Sequence, residues 1–385
     1  MNWNELNRLH FETGPIRPPS EAYSLLIRAT RNCPWNRCRF CHTYKGEKFE
    51  LRPAEDVLKD IETVKRIADG IKELAFSAGY AGNVRDVAAY MYSHPTASES
   101  LRQVALWQFA GGKSAFLQDA NSIIMRTPDL IKVVSVLKQT FPDITRITSY
   151  CRSKTAAKKT LTEMMEIHEA GVTRIHVGME SGSNAVLKIV NKGMTADDHI
   201  SGGRNIKEAG IELSEYYMPG LGGRKLWQEH AAESARVLNS INPDFVRLRT
   251  LMVSPALEMW ANVESGEFEI MGEDEMVKEI GEFISRLDFT GELKSDHILN
   301  LLPELEGKFP AAKQACLDTV NRYLNMPLRE RLNYRLGRRA GIYERLADMH
   351  DADRYRKVDE TMRRLGTDTA EKMDAVIDRM KQYFI

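Results

Sequence analysis

Thr173-Arg174-Ile175-His176-Val177-Gly178-Met179-Glu180 alternates along its length. Ile175, Val177 and Met179 fall on one face of a strand, and Arg174, His176, Gly178 and Glu180 on the other. Strands of an open parallel sheet are covered on both faces and read as unbroken apolar runs. A barrel strand can instead turn its apolar face to the surrounding helices and its polar face to a lumen. Phe245–Thr250 repeats the pattern, with Arg247 and Arg249 opposite Val246 and Leu248. Barrels place their chemistry at the C-terminal ends of such strands.

Working outward, strands are expected at Tyr23–Ala29, Ser114–Asp119, Ile144–Tyr150, Val172–Glu180, Ile211–Met218 and Phe245–Leu251. Helical periodicity separates them at Thr127–Thr140, Lys154–Ala170 and Asp197–Ala209. Gly171 and Gly210 stop two helices just before the next strand. Pro53 opens a helix with Glu55 and Asp56 in its first turn. Six strands alternating with helices predict an α/β fold, a partial (β/α)6 TIM-like barrel followed by a C-terminal helical region. Ile71–Phe76 reads either as a seventh strand or as helix. The helical pattern on both sides favours a helical insertion over about 59–110. The expected division is an N-terminal extension (1–20), the barrel (21–255) and a helical C-terminal domain or cap (256–385). The basic stretch Leu328–Arg345 reads as a solvated helix face.

The chain has 385 residues, 43% of them hydrophobic, enough for a sizeable core. Its 54 basic and 54 acidic side chains cancel, so no global attraction to nucleic acid or an anionic membrane is expected. No apolar run approaches the length of a membrane span, and the polar start MNWNELNRLHFETGP has no secretory core, so a cytoplasmic protein is expected. Three of the five cysteines crowd into nine residues, which suits metal binding better than a disulfide framework.

Those three stand in Arg31-Asn32-Cys33-Pro34-Trp35-Asn36-Arg37-Cys38-Arg39-Phe40-Cys41-His42, a C-x4-C-x2-C spacing just past the first strand. Three thiolates this close can hold one soft metal centre. On a four-iron cubane they leave one iron without a protein ligand, open to a small molecule. The competing reading is structural zinc with His42 as fourth ligand. Adjacent Cys41 and His42 are poorly placed to point at one ion, and zinc ligands usually come as two separated pairs.

The motif, its place after strand one and the six-strand count resemble the radical S-adenosylmethionine (radical SAM) superfamily over about residues 21–255. The resemblance implies a [4Fe–4S] cluster on Cys33, Cys38 and Cys41 and S-adenosylmethionine (SAM) as second cofactor. It further implies reductive SAM cleavage, hydrogen abstraction from an unidentified substrate, and an external electron donor of flavodoxin or ferredoxin type. The commonest family spacing is C-x3-C-x2-C, so this chain carries one extra residue. Phe40 matches the aromatic that packs near the adenine. Gly178-Met179-Glu180-Ser181-Gly182-Ser183 resembles the segment ending strand four, which places Glu180 and Ser181 near the nucleoside or methionine part. Met218-Pro219-Gly220-Leu221-Gly222-Gly223 resembles the glycine loop after strand five, where Gly220 allows close approach of a ligand. The family's Gly-Gly-Glu element is replaced by Leu117-Gln118-Asp119, leaving Asp119 as the candidate for the methionine amino group. Arg152 is the candidate for the methionine carboxylate, with Arg249 competing.

Other residues carry less. Cys151 and Cys316 read as buried core thiols, His297 as a helix-start residue, and the methionines as core filler. Two alternatives remain at this point: a metal-binding module acting on RNA, against which neutral charge and the lack of a basic aromatic stripe argue, and a cluster scaffold without catalysis. Nucleic acid is the less expected partner.

Overall fold

The computed structural model describes residues 2–77, 79 and 82–381. Along the chain come α1 (Trp3–Arg8), β1 (Leu25–Arg28), β2 (Thr30–Arg31), β3 (Glu50–Leu51), α2 (Ala54–Ser77), α3 (Val84–Ser93), α4 (Glu99–Phe109) and β4 (Ser114–Gln118). Next are α5 (Thr127–Thr140), β5 (Arg146–Cys151), α6 (Ser153–Lys158), α7 (Leu161–Ala170), β6 (Val172–Glu180), α8 (Asn184–Ile189), α9 (Ala196–Glu208) and β7 (Glu212–Tyr217). The last are α10 (Gly223–Ile241), β8 (Phe245–Leu248), α11 (Trp260–Glu264), α12 (Glu273–Arg286), β9 (Glu292–Lys294), β10 (Gly307–Lys308), α13 (Lys313–Leu324), α14 (Leu328–Arg339), α15 (Ala352–Leu365) and α16 (Ala370–Lys381). The fold is α/β and TIM-like, with eight strands in a mostly parallel sheet and a helical C-terminal region. No helix among the described residues is long and apolar enough to cross a membrane.

The chain divides into two compact units. The first holds the residues up to Asn36, Thr43–Val177 and Ser201–Leu213. In it β1, β4, β5 and most of β6 run parallel in that order. Leu25, Ile27, Ala115 and Leu117 of the strands and Val133, Val134 and Leu137 of α5 are buried. Ile71–Phe76 lies in α2, so the segment between β1 and β4 is helical in α2, α3 and α4; residues 78, 80 and 81 of it lie outside the described residues. The expected helix Lys154–Ala170 is two helices. The Thr160 hydroxyl accepts the Glu163 N–H at 3.2 Å while Glu163 Oε2 accepts the Thr160 N–H at 2.9 Å, a capping box that starts α7 afresh.

The second unit holds Arg37–His42, Gly178–Ile200 and the residues from Ser214 onward. Here β7, β8 and β9 run parallel and β10 turns back antiparallel on β9. Strand structure therefore continues past the expected end of the barrel at residue 255. Three- and two-residue strands are too short to leave a periodic signal.

The basic stretch is not a solvated face. Arg335 and Arg339 of α14 are buried at 1% and 4% exposure. Both bond Glu273 at the start of α12, at 3.2 and 2.5 Å, and Arg335 also pairs with Asp374. Buried guanidinium groups persist only when charge partners answer them.

Candidate active site

The cysteine loop runs from one unit into the other, and each end is built differently. At the first-unit end, Asn32 and Asn36 adopt φ of +66° and +45°, a left-handed conformation that asparagine tolerates. Asn36 turns its N–H onto Cys33 Sγ at 3.4 Å. Its side-chain amide is held by the carbonyls of Tyr44 and Glu47. Asp119, fully buried at the end of β4, fixes the same loop. It accepts from Arg28 Nε and Nη2 at 3.0 and 2.7 Å, from the Asn32 N–H at 3.1 Å and from the Tyr44 hydroxyl. Burial and the adjacent Asp119 push the Tyr44 phenol far above its ordinary range, so it stays a donor. A side chain at Gly14 would meet Asp119 Oδ1 at 2.8 Å. Asp119, the candidate for the methionine amino group, thus has its carboxylate committed to anchoring the loop. Arg152 sits just past β5, where its N–H bonds Asn121 Oδ1 at 3.1 Å and its guanidinium lies 5.2 Å from the Trp35 ring centroid.

At the second-unit end, the Arg39 N–H bonds Val190 O at 2.9 Å and Arg39 O accepts from Met259 at 3.0 Å. The Cys41 N–H bonds Cys38 O at 3.3 Å. Phe40 packs on a buried cluster that includes Val186, Val190, Met218, Leu221 and Met259. Lys192 Nζ stands 5.5 Å from the Phe40 centroid and 3.3 Å from Glu180 Oε1. Glu180 ends β6 with φ of +64°. Its carboxylate lies over Gly178, where any Cβ would meet Oε1 at 2.3 Å and Lys192 Nζ at 3.3 Å. Glu180 Oε2 is buried without a hydrogen-bond partner, and so are both oxygens of Glu215 on β7. Burial, reinforced by Glu180, pushes the Glu215 carboxyl well above its usual range.

Ser181 is fully buried: its hydroxyl donates to His230 Nδ1 at 2.8 Å and accepts the Ser183 N–H at 3.0 Å. Gly220 holds φ of +88° and donates its N–H to Glu279 Oε1 at 3.0 Å. Arg249 is exposed just beyond β8, its N–H on Tyr217 O at 2.9 Å. Arg247, by contrast, is buried and bonds Ser214 Oγ and Asp296. Burial and the nearby Arg249 lower the His297 imidazole to about 4, so it is neutral at pH 7. His42 is exposed, and Cys151 and Cys316 are buried.

Sequence reasoning missed Tyr44, Lys192, Glu215 and Glu279. Only Glu215 left a signal, as a second acid in a strand that is otherwise mostly apolar or aromatic.

No group of three His, Cys, Asp or Glu side chains among the described residues is gathered to hold a single metal ion. Whether the chain fits an iron–sulfur cluster and SAM therefore rests on donor chemistry. Cys33, Cys38 and Cys41 are half-buried and free of disulfides, and a backbone N–H already points at the sulfur of Cys33. Unanswered carboxylate oxygens at Glu180 and Glu215 await hydrogen-bond donors. The set fits both groups.

Residues 27–235, more than half of the chain, match the Radical SAM superfamily. Two tRNA uridine(34) acetyltransferases are similar over shorter stretches. The one from Methanocaldococcus infernus is 25% identical over 150 residues, 39% of this chain and 26% of that protein. The one from Methanocaldococcus jannaschii is 24% identical over 148 residues, 38% and 25% respectively. The matched stretch thus spans about a quarter of these relatives. Among solved structures, Methanocaldococcus infernus Elp3 with an N-terminal deletion aligns at 18% identity over 48% of each chain, with a TM-score of 0.38. Methylornithine synthase aligns at 12% identity over 71% of this chain and 65% of its own, with a TM-score of 0.41.

Proposed function

Because the chain belongs to the radical SAM superfamily of enzymes, whose cofactors are a [4Fe–4S] cluster and SAM, we propose that Cys33, Cys38 and Cys41 are the cluster ligands. On this reading the protein cleaves SAM reductively and removes a hydrogen atom from its substrate. When bound, the two cofactors supply the electron and the 5′-deoxyadenosyl radical for that step. The chain's own residues bind, orient and shield. Asp119 and Arg28 fix the loop that carries Cys33. Phe40 gives the adenine an apolar wall, and Lys192 holds Glu180 in place. Glu180, with an unanswered buried oxygen, takes a hydrogen-bond donor of SAM. Ser181 and Gly220 shape the loops around it, Arg152 meets the carboxylate, and Arg249, exposed just past β8, competes with it for that role. The C-terminal helices limit water at the site, and a flavodoxin- or ferredoxin-type protein donates the electron.

The observation that carries this reading is the cysteine loop, three thiols on a C-x4-C-x2-C spacing with a backbone N–H on Cys33 Sγ. Anaerobic reconstitution with iron and sulfide, followed by dithionite and SAM, tests it through 5′-deoxyadenosine formation. A protein holding four irons that forms none contradicts it.

A second reading concerns the substrate. The archaeal relatives are named for tRNA uridine 34, which favours an RNA nucleoside. Against it, Arg335 and Arg339 of the basic stretch are spent on Glu273. Stimulation of 5′-deoxyadenosine formation by bulk tRNA, but not by the free nucleosides, would decide for RNA.

A further inference from the structure

Glu279 projects from α12 toward the end of β7, and no sequence motif marks it. It is fully buried. Its Oε1 accepts two hydrogen bonds, from the Tyr217 hydroxyl at 2.7 Å and from the Gly220 N–H at 3.0 Å. Tyr217 is clamped in turn, stacked on Phe283 of α12 at 3.9 Å and on His230 of α10 at 4.8 Å between centroids. His230 Nε2 lies 3.6 Å from the same Glu279 oxygen and donates to Met218 O at 3.0 Å. That fixes the tautomer: Nδ1 is the acceptor, and it takes the Ser181 hydroxyl. Helix α10 also holds the Ser181 loop through Ser234 Oγ, on the Gly182 N–H at 2.8 Å, and through Glu229, on the Ser183 hydroxyl at 2.6 Å. The Glu279 carboxyl therefore bonds the glycine loop after β7 directly and reaches the serine loop after β6 through Tyr217, which stacks on the His230 that holds Ser181.

We propose that Glu279 is a positioning residue that clasps these two loops into the shape that receives SAM. The inference rests on the assignment of both loops to SAM made above. Glu279 Oε2 has no partner among the described residues, and burial keeps His230 neutral by lowering it to about 4. Among the described residues no cation compensates a charge on Glu279, and burial raises its carboxyl to about 8. Tyr217 and His230 are the titratable groups that face it from β7 and α10. Toward α13 and α14 the charged groups of α12 sit at its start, Asp274 with Tyr323 and Arg331, and Glu273 with Arg335 and Arg339. Glu279 thus holds the clasp as a neutral acid. Ionisation above about pH 8 leaves a buried charge with no counter-ion among the described residues, a desolvation cost that the Tyr217 and Gly220 hydrogen bonds offset only in part and that weakens the clasped arrangement.

The test is equilibrium dialysis of SAM against the anaerobically reconstituted protein from pH 6.5 to 9.5, with Glu279→Gln and Glu279→Ala beside the wild type. Glu279→Ala should weaken SAM about tenfold at pH 7, the cost of leaving Tyr217 and Gly220 unanswered, at unchanged iron content. Glu279→Gln keeps an accepting oxygen and cannot ionise. It should restore pH 7 affinity to within about twofold and remove the loss that the wild type shows above pH 8. Thermal melts of the same proteins without SAM give a second readout. The wild type should lose stability relative to Glu279→Gln as pH rises from about 4.5 to 8 and run parallel to it above. Superimposable wild-type and Glu279→Gln profiles in both measurements would overturn the proposal. An iron-loaded wild type that binds no SAM at any pH would overturn the underlying assignment instead, and the melts would still show whether Glu279 forms the clasp.

Discussion

The two ends of the cysteine loop differ in how completely their polar atoms are answered. Around Cys33 the network is closed: Asp119 accepts four hydrogen bonds from Arg28, Asn32 and Tyr44, and Arg28 goes on to Glu12 at 3.0 Å. Around Phe40 it is open. Glu180 has one oxygen on Lys192 and one on nothing, and Glu215 has neither oxygen answered. Buried polar atoms cost stability when unpaired, so a closed network reads as scaffold and an open one as a place where a ligand completes the bonding. The carboxylate at the end of β4 is engaged within the chain, and the open acids lie after β6 and on β7.

The comparison breaks most severely at the scaffold. Asp119→Ala removes the carboxylate from Arg28, Asn32 and Tyr44 and should cost about 2–4 kcal/mol, read from urea unfolding, because it leaves the Asn32 N–H and the Tyr44 hydroxyl without that acceptor and Arg28 with Glu12 as its remaining carboxylate partner. A loss below about 1 kcal/mol would mean the closed network is not what holds the loop. Glu215→Gln should act the other way. The folded carboxyl is raised above its unfolded value, so the wild type gives up stability as pH rises from about 4.5 through neutrality. The variant has no proton to lose and should be more stable than the wild type at pH 7, the difference shrinking as pH falls toward the ordinary carboxyl range. Equal unfolding midpoints at pH 7 would place Glu215 among answered groups. Lys192→Met takes the ion pair from a Glu180 carboxylate that is nearly buried and should cost folding stability, by less than Asp119→Ala because one hydrogen bond to the carboxylate is lost instead of four. It should nevertheless weaken SAM retention in gel filtration of the loaded protein, and unchanged retention would exclude Lys192 from the site.

Much of the fold was legible because alternation is a local signal. Val172–Glu180 forms the strand its pattern predicts, residue for residue, and Thr127–Thr140 the helix. Beyond residue 255 the signal failed where elements are short or where burial is achieved by charge pairing. Strands β9 and β10 are too brief for periodicity, and α14 buries arginines against Glu273, a pairing sixty residues away that no local pattern contains. The site divides similarly. The cysteines, Glu180, Ser181 and Gly220 stand in motifs. Tyr44, Lys192 and Glu279 act through contacts set by tertiary structure alone, and the commitment of Asp119 to Arg28 is likewise invisible in the sequence.

Iron content measured together with 5′-deoxyadenosine formation, for the wild type and Cys38→Ala, tests the central claim most directly. The account predicts about four irons per wild-type chain and SAM cleavage after reduction, with both lost in Cys38→Ala because removing one of three thiolates leaves the cluster without its ligand set. A Cys38→Ala protein that keeps its iron and still forms 5′-deoxyadenosine, or a wild type that binds one zinc and no iron after anaerobic purification, would contradict it.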